Sequence, residues 1–124
     1  MTQEKRTEKD MTPLAVQKCT ACDVNATPVA EKDRAALLRE LHPDWCIQNI
    51  DDIPQLCRIY SFTDFASALA FVVHVGAIAE QADHHPTMTV TWGKVTVCWW
   101  THKIRDLHHN DFILSARCDA AYLR

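Results

Sequence analysis

Apolar and polar positions follow two different periods along this chain, and the change of period marks out its elements. A period of two runs through residues 45–49 and 55–62, and again through 87–92 and 94–100, which predicts two β-hairpins. Apolar positions at helical spacing predict three helices, within residues 27–42, 63–85 and 110–124. The predicted order is therefore helix, two strands, helix, two strands, helix.

This order favours an α+β fold. Four strands in two hairpins imply a four-stranded antiparallel sheet, and three amphipathic helices suffice to cover one face of it. Residues 1–26 are polar and carry no sustained period, so we interpret them as a flexible N-terminal tail. One domain is expected over residues 27–124.

Local signals set the expected ends of these elements. Thr27 is a candidate N-cap for the first helix, Thr63 for the second and Asn110 for the third. The DDIP stretch at residues 51–54 predicts a moderately long loop in the first hairpin. The second hairpin is expected to turn near Gly93.

Composition narrows the class of protein. The net charge of -3 gives no electrostatic reason to expect a nucleic-acid partner. No apolar run approaches the roughly 18 to 20 residues that cross a bilayer, and the N-terminus lacks the apolar core of a signal peptide, so we expect a cytoplasmic protein without a membrane partner. Six cysteines should then be mostly free thiols. Cys19 and Cys22 are spaced as half of a zinc site but lack a second pair.

Two adjacent histidines carry the first chemical signal. His84 and His85 precede Pro86, at the junction between the second helix and the third strand. If the second hairpin turns near Gly93, the start of its first strand lies beside the end of its second, so His84, His85 and His102 should meet at one end of the sheet. Spacing alone gives equal weight to proton transfer, zinc binding and a polar cap without chemistry.

A wider pattern narrows these alternatives. An acid, a His-His-Pro triplet, an aromatic residue, a third histidine and an aspartate follow one another at characteristic spacings: Glu80, His84, His85, Pro86, Trp92, His102 and Asp111. Together with the upstream stretches HPDW and YSFTDFASALAFV, this pattern resembles the pterin-4a-carbinolamine dehydratase family. The resemblance extends from about residue 28 to residue 124.

The resemblance implies a hydro-lyase that removes water from a 4a-hydroxytetrahydropterin. The product would be quinonoid dihydropterin, which regenerates the cofactor of aromatic amino-acid hydroxylases. By the same resemblance His84 and His102 are the acid/base pair, and His85 shares in catalysis while mainly binding the pterin. It further implies no metal, no cofactor, a homodimer or homotetramer, and a functional link to an aromatic amino-acid hydroxylase.

Three neighbouring residues have roles that the sequence leaves open. Asp111 either orients His102 and takes part in substrate binding, or simply supplies an acid to the first turn of the last helix. Glu80 is expected to be a surface acid, and Trp92 to pack on the sheet. The loop from Lys103 to Asn110 departs from the family pattern because it has no glycine and brings His108 to the cap position.

Two further functions remain as alternatives. One is a family member that acts on another pterin, such as one related to molybdopterin. The other is a protein-interaction or regulatory module, for which the apolar run of Phe112, Ile113 and Leu114 in the last helix indicates self-association.

Overall fold

The computed structural model describes residues 13–20 and 26–123, and in this part of the chain it has three α-helices and one four-stranded sheet. A single 3-10 turn at Leu14–Val16 precedes them. The elements are α1 (Glu31–Arg39), β1 (Cys46–Ile50), β2 (Ile53–Ser61), α2 (Phe65–Ala82), β3 (Thr87–Thr91), β4 (Lys94–Trp99) and α3 (His109–Tyr122). The predicted α+β fold and element order are confirmed.

The sheet is antiparallel throughout, with the strand order β1-β2-β4-β3. Leu56 lies opposite Trp99 and Tyr60 opposite Val95, and all four side chains are buried. Since alternate residues share a face, this register turns one face of β2 and β4 toward α2 and α3. The opposite face of β2 is exposed at Ile59, which is 55% exposed, while Gln55 and Cys57 on that same face are buried.

The first hairpin is tighter than predicted. Ile50 pairs with Ile53, which leaves only Asp51 and Asp52 in the turn. Both have positive φ, 53° and 63°, as two-residue hairpin turns favour and as aspartate tolerates. The expectation of a moderately long loop is therefore wrong, because Pro54 already belongs to β2.

The second hairpin turns where the sequence predicted. Thr91 pairs with Lys94, and Gly93 has a φ of 80°. The N–H of Phe62 donates to the carbonyl of Gly93 at 2.8 Å, so the turn is attached to the end of β2. Trp92 lies in this turn and is 72% exposed, so the expectation that it packs on the sheet is wrong.

The first two helices begin later than their predicted caps. α1 begins at Glu31 without a side-chain cap, so Thr27 is not its N-cap. α2 is capped by Asp64 rather than by Thr63, and the carboxylate of Asp64 accepts the N–H of Ser67 at 2.7 Å. The error at α2 arises because Thr63 and Asp64 are both acceptable caps. The error at α1 has a different origin, since this helix follows Ala30, which has no capping side chain.

Part of the expected tail packs on the domain. Leu14 is 3% exposed and belongs to the hydrophobic core. Residues 13–20 contact α3, whereas residues 1–12, 21–25 and 124 lie outside the described residues. Cys22, considered above with Cys19 as half of a zinc site, is one of the residues outside the described part of the chain.

Two of the cysteines form a cross-strand pair. Cys57 on β2 lies directly opposite Cys98 on β4, and the two are joined as a disulfide with their Cα atoms 4.2 Å apart. This pair is an exception to the expectation that the cysteines are mostly free thiols. Cys46 and Cys118 are free thiols, and burial raises the pKa of Cys118 to about 12.

Exposed apolar surface lies on α2 rather than on α3. Phe112, Ile113 and Leu114 are at most 1% exposed, so the self-association predicted for the last helix is wrong: those side chains fill the core. α2, by contrast, has 18 residues with a mean hydropathy of 1.4 and is long and apolar enough, by length and composition only, to cross a membrane. Its apolar side chains are interrupted by Ser67, His74, Glu80 and Gln81, so the expectation that no uninterrupted apolar run reaches that length still stands. Core helices of other proteins pass the same test of length and composition.

Candidate active site

Three histidines meet at one end of the sheet. α2 ends at Ala82, its C-cap Asp83 turns the chain with a φ of 53°, and β3 begins directly after Pro86. His84 and His85 lie between these elements, and His102 follows β4. All three line one cavity of about 420 Å³, which confirms the convergence predicted from the hairpin.

A buried carboxylate holds the first of these histidines. His84 Nε2 lies 2.7 Å from Asp111 Oδ1, and Asp111 has no exposed surface. The hydroxyl of Thr101 and the backbone N–H of His108 both donate to Oδ2, each at 2.9 Å. Asp111 therefore orients His84, so of the two roles left open by the sequence the one that orients His102 is wrong, whereas its place in the first turn of α3 is confirmed. It has no surface from which to bind a substrate directly.

The first turn of α3 explains why Asp111 is held there. His108 is the N-cap, and its Nδ1 accepts the N–H of Asn110 at 3.0 Å. Burial, partly opposed by Asp111, lowers the pKa of His108, which favours the neutral ring that this acceptor role needs. Asp111 completes a capping box, so the predicted cap at Asn110 is wrong.

The other two histidines are exposed and differently supported. His85 Nε2 lies 2.9 Å from Glu80 Oε1, and both side chains are more than half exposed. Glu80 is thus the surface acid that the sequence predicted. His102 stacks on Trp100, with ring centroids 4.2 Å apart and planes at 13°. The cavity can therefore present one fixed imidazole and two solvent-accessible ones to a ligand.

Sequence reasoning missed two residues that support these histidines, Thr101 and Trp100. Thr101 directly precedes His102, and neighbouring side chains in an extended chain face opposite sides. If His102 faces the solvent, Thr101 should therefore face inward, so its position was a usable sign. Trp100 gave no sign that it would stack on His102. Among the described residues no group of three or more His, Cys, Asp or Glu side chains is arranged to hold a metal ion.

Comparisons with known sequences identify the family. Residues 27–121 match the family model described as pterin 4 alpha carbinolamine dehydratase. A protein of Syntrophotalea carbinolica that carries a pterin-4-alpha-carbinolamine dehydratase name is 48% identical over 110 residues. That alignment covers 89% of this chain and 97% of the relative.

Solved structures share the fold. One is described as a transcriptional coactivator/pterin dehydratase from Brucella melitensis, with a TM-score of 0.68, 26% identity, and coverage of 77% of this chain and 98% of that one. A second is a pterin dehydratase-like protein identified as a RuBisCO assembly factor in the alpha-carboxysome, with a TM-score of 0.56 and 23% identity. It covers 65% of this chain and 92% of its own, and at that identity it shows the fold alone.

The family model and the Syntrophotalea relative both span most of the chain and carry the same enzymatic description. The chain belongs to the pterin-4-alpha-carbinolamine dehydratase family, and is accordingly a hydro-lyase whose family substrate is a pterin.

Proposed function

We propose that this protein dehydrates a 4a-hydroxytetrahydropterin by proton transfer between His84, His102 and the substrate. The product, a quinonoid dihydropterin, would return to the cofactor cycle of an aromatic amino-acid hydroxylase. The observation that carries the proposal is the meeting of His84, His85 and His102 in one cavity, with His84 fixed by a buried carboxylate.

The reaction needs two proton transfers. One imidazolium donates a proton to the C4a hydroxyl, which leaves as water while the N5 lone pair forms the new bond to C4a. A neutral imidazole accepts the proton from N5. The two rings end with exchanged protonation states, and each transfer typically accelerates such a step about 10²- to 10⁴-fold. Histidine suits both roles because it titrates near neutrality.

The hydrogen bonds of Asp111 determine which ring nitrogen of His84 exchanges a proton with the substrate. Two donors already occupy its Oδ2, and an ionised carboxylate only accepts hydrogen bonds. Nε2 of His84 therefore carries its hydrogen toward Oδ1, and Nδ1 is the atom that gains and loses the catalytic proton. Asp111 also stabilises the imidazolium when it forms. In this proposal Asp111 acts on the pterin only through His84.

His85 and His102 supply the exposed part of the site. Stacking on Trp100 limits the rotation of the His102 ring, which suits a group that exchanges a proton at a defined place. Glu80 steadies His85 at the rim, where we place its contact with the pterin.

The test is a dehydration assay on purified protein with 4a-hydroxytetrahydropterin. Wild type should accelerate the reaction, and His102→Ala should lower kcat by about 100-fold or more, the lower range for a lost acid/base group. Because His102 is exposed, its removal should leave the circular dichroism spectrum unchanged. His74→Ala, an exposed histidine of α2 outside this cavity, is the control and should retain wild-type turnover. Unchanged kcat in His102→Ala would refute the role.

We also propose that the protein is a homodimer or homotetramer that associates through α2. Phe65, Leu69 and Val73 recur every four residues on this helix and are 44%, 45% and 66% exposed. Such a stripe of uncharged side chains is costly to leave in water. Light scattering should give a multiple of 14.1 kDa. Leu69→Glu should give a monomer, whereas Leu123→Glu, at the exposed C-terminal end, should not; a monomeric wild type would contradict the proposal.

An interaction role is the second candidate function. The Brucella relative is described as a transcriptional coactivator as well as a pterin dehydratase, and α2 of this chain exposes an apolar stripe. Under this alternative, wild type would show no turnover of 4a-hydroxytetrahydropterin, and Leu69→Glu would remove its only measurable association.

A further inference from the structure

The segment of residues 13–20, here called the N-terminal strap, lies outside the matched family region yet belongs to the folded domain. Leu14 anchors one end in the core. After the 3-10 turn, half-buried residues alternate with exposed ones from Gln17 to Thr20, as expected for an extended chain that lies against a surface.

Two side chains of α3 fasten the middle of the strap. Arg117 donates through Nε to the carbonyl of Ala15 at 3.1 Å and through a terminal nitrogen to that of Gln17 at 2.5 Å. His109 Nε2 lies 2.7 Å from Gln17 Oε1. Hydrogen bonds from a charged guanidinium are among the stronger ones in proteins, and here one guanidinium donates to two carbonyls of the strap. The two bonds together fix the position of the strap on α3.

Asn110 fastens the end of the strap. The N–H of Thr20 donates to Asn110 Oδ1 at 3.0 Å, and Asn110 Nδ2 donates to the carbonyl of Thr20 at 2.7 Å. One side-chain amide thus pairs with both backbone groups of one residue, as a neighbouring strand would. Asn110 is 2% exposed, so losing Thr20 would leave a buried amide without these partners, which is costly.

The end of the strap reaches the histidine cavity. Thr20 and Asn110 line the same 420 Å³ cavity as His84, His85 and His102. Asn110 is also the chain neighbour of Asp111, which holds His84. Asn110 and Asp111, neighbours in the first turn of α3, therefore hold Thr20 and the imidazole of His84 respectively.

We propose that the N-terminal strap forms one wall of the pterin cavity. Thr20 limits the space available to the substrate, and Asn110 and Arg117 are positioning residues that hold Thr20 in place. The inference rests on the proposed dehydratase function, since the ligand is the same pterin. A wall that contacts the pterin equally in the ground state and the transition state affects KM and binding, not kcat.

The first test changes the volume of the wall. Thr20→Trp should raise KM about tenfold or more and weaken the binding of a stable dihydropterin, measured by equilibrium dialysis, because the added volume overfills a formed site. Lys32→Trp, on the exposed surface of α1, is the matched control and should change neither. Unchanged KM and binding in Thr20→Trp would overturn the inference.

The second test loosens the strap from a distance. Arg117 does not line the cavity, and Arg117→Ala removes two hydrogen bonds to the strap while Asn110 still holds its end, so KM should rise about fivefold with kcat within about twofold. Amide exchange over residues 14–20 should become faster. Arg117→Lys, which keeps a cationic donor, should restore part of the affinity. Faster exchange with unchanged KM would refute the coupling between strap and cavity.

The outcomes separate this inference from the proposed function. If wild type binds dihydropterin but does not dehydrate the carbinolamine, and Thr20→Trp weakens that binding, the strap proposal holds and the assigned reaction fails. If wild type turns over the carbinolamine and both strap variants behave like wild type, the reaction holds and the strap proposal fails. A wild type that binds no pterin contradicts both.

Discussion

Two aspartates of α3, Asp111 and Asp119, both receive several hydrogen bonds from the protein, but their partners differ in kind. They lie eight residues apart on one helix, and each collects three hydrogen bonds. Asp111 accepts from Thr101 and a backbone N–H and pairs with His84. Asp119 accepts from three side chains: Trp45 Nε1 at 2.9 Å, Arg58 at 2.7 Å and the Tyr60 hydroxyl at 2.5 Å.

The difference between the two lies in their partners. Asp119 neutralises Arg58, a permanent charge that is only 7% exposed on the helix-facing side of β2, and it ties the sheet to α3. Asp111 faces an imidazole at the edge of a cavity, and an imidazole changes its protonation near neutral pH. We therefore expect Asp119 to contribute mainly to stability and Asp111 mainly to the proposed chemistry of His84.

Removing Asp119 should produce the largest change in stability. Asp119→Ala leaves Arg58 buried without its main counter-charge, and breaking such a pair costs about 3 kcal/mol or more of unfolding free energy. Urea denaturation measures this loss. Asp44→Ala is the control, since Asp44 lies 3.8 Å from the same guanidinium but is 60% exposed, and it should cost less than about 1 kcal/mol. Equal losses in the two variants would show that Asp119 has no special structural role.

Asp111→Asn should reduce activity more than stability. The two donors at Oδ2 would claim the amide oxygen, which turns the amide N–H toward His84 and forces the wrong tautomer on its ring. We expect kcat to fall about 10- to 100-fold, as for other residues that orient a reacting histidine. Asp119→Asn should keep wild-type kcat in its folded fraction. A lower kcat in folded Asp119→Asn than in Asp111→Asn would contradict the roles assigned to the two aspartates.

Tyr60→Phe should have a smaller, pH-dependent effect. Burial, with the neighbouring Cys118 and Asp119, raises the pKa of Tyr60 well above its ordinary value of 10.0. The folded state keeps this proton above pH 10 while the unfolded state loses it, so stability is fully present below about pH 10 and falls as pH rises. The variant should lose about 1 kcal/mol at pH 7. Denaturation between pH 8 and 11 should show a shallower alkaline decline in Tyr60→Phe, and a parallel decline would contradict this account.

Asp64 gives the smallest expected effect. This exposed cap of α2 accepts one backbone hydrogen bond, which lowers its pKa below the usual 3.8. Its contribution is therefore present above that value and is lost as pH falls through the lower folded-state pKa. Asp64→Ala should lower the melting temperature by roughly a few degrees at pH 7, and the difference should shrink in acid. A difference that persists at pH 2 would point to a cause other than the carboxylate.

The sequence predicts the sheet and the histidine cluster because strand alternation has a strict period. The even positions of β2 and the odd positions of β4 share one face, as their alternation indicated, and the hairpin then brings His102 to His84 and His85. Helix ends were less predictable. Thr63 and Asp64 are both good caps, and only the packing of α2 decides between them.

The carboxylate networks depend on tertiary packing that no local period encodes. Spacing identified Asp111 but not its partner, since that depends on how the start of α3 meets the end of α2. Asp119 went unnoticed, although Arg58 on an apolar strand face was a sign that some acid must lie opposite it. Thr20 follows a segment without a sustained period, so nothing placed it at the cavity.

In the proposed reaction, an imidazole held by Asp111 moves a proton of the pterin. The test is to measure kcat for 4a-hydroxytetrahydropterin dehydration in wild type, in His84→Ala and in the exposed control His42→Ala. We predict that His84→Ala lowers kcat by about 100-fold or more while His42→Ala matches wild type. A folded His84→Ala protein with kcat within about twofold of wild type would contradict the claim.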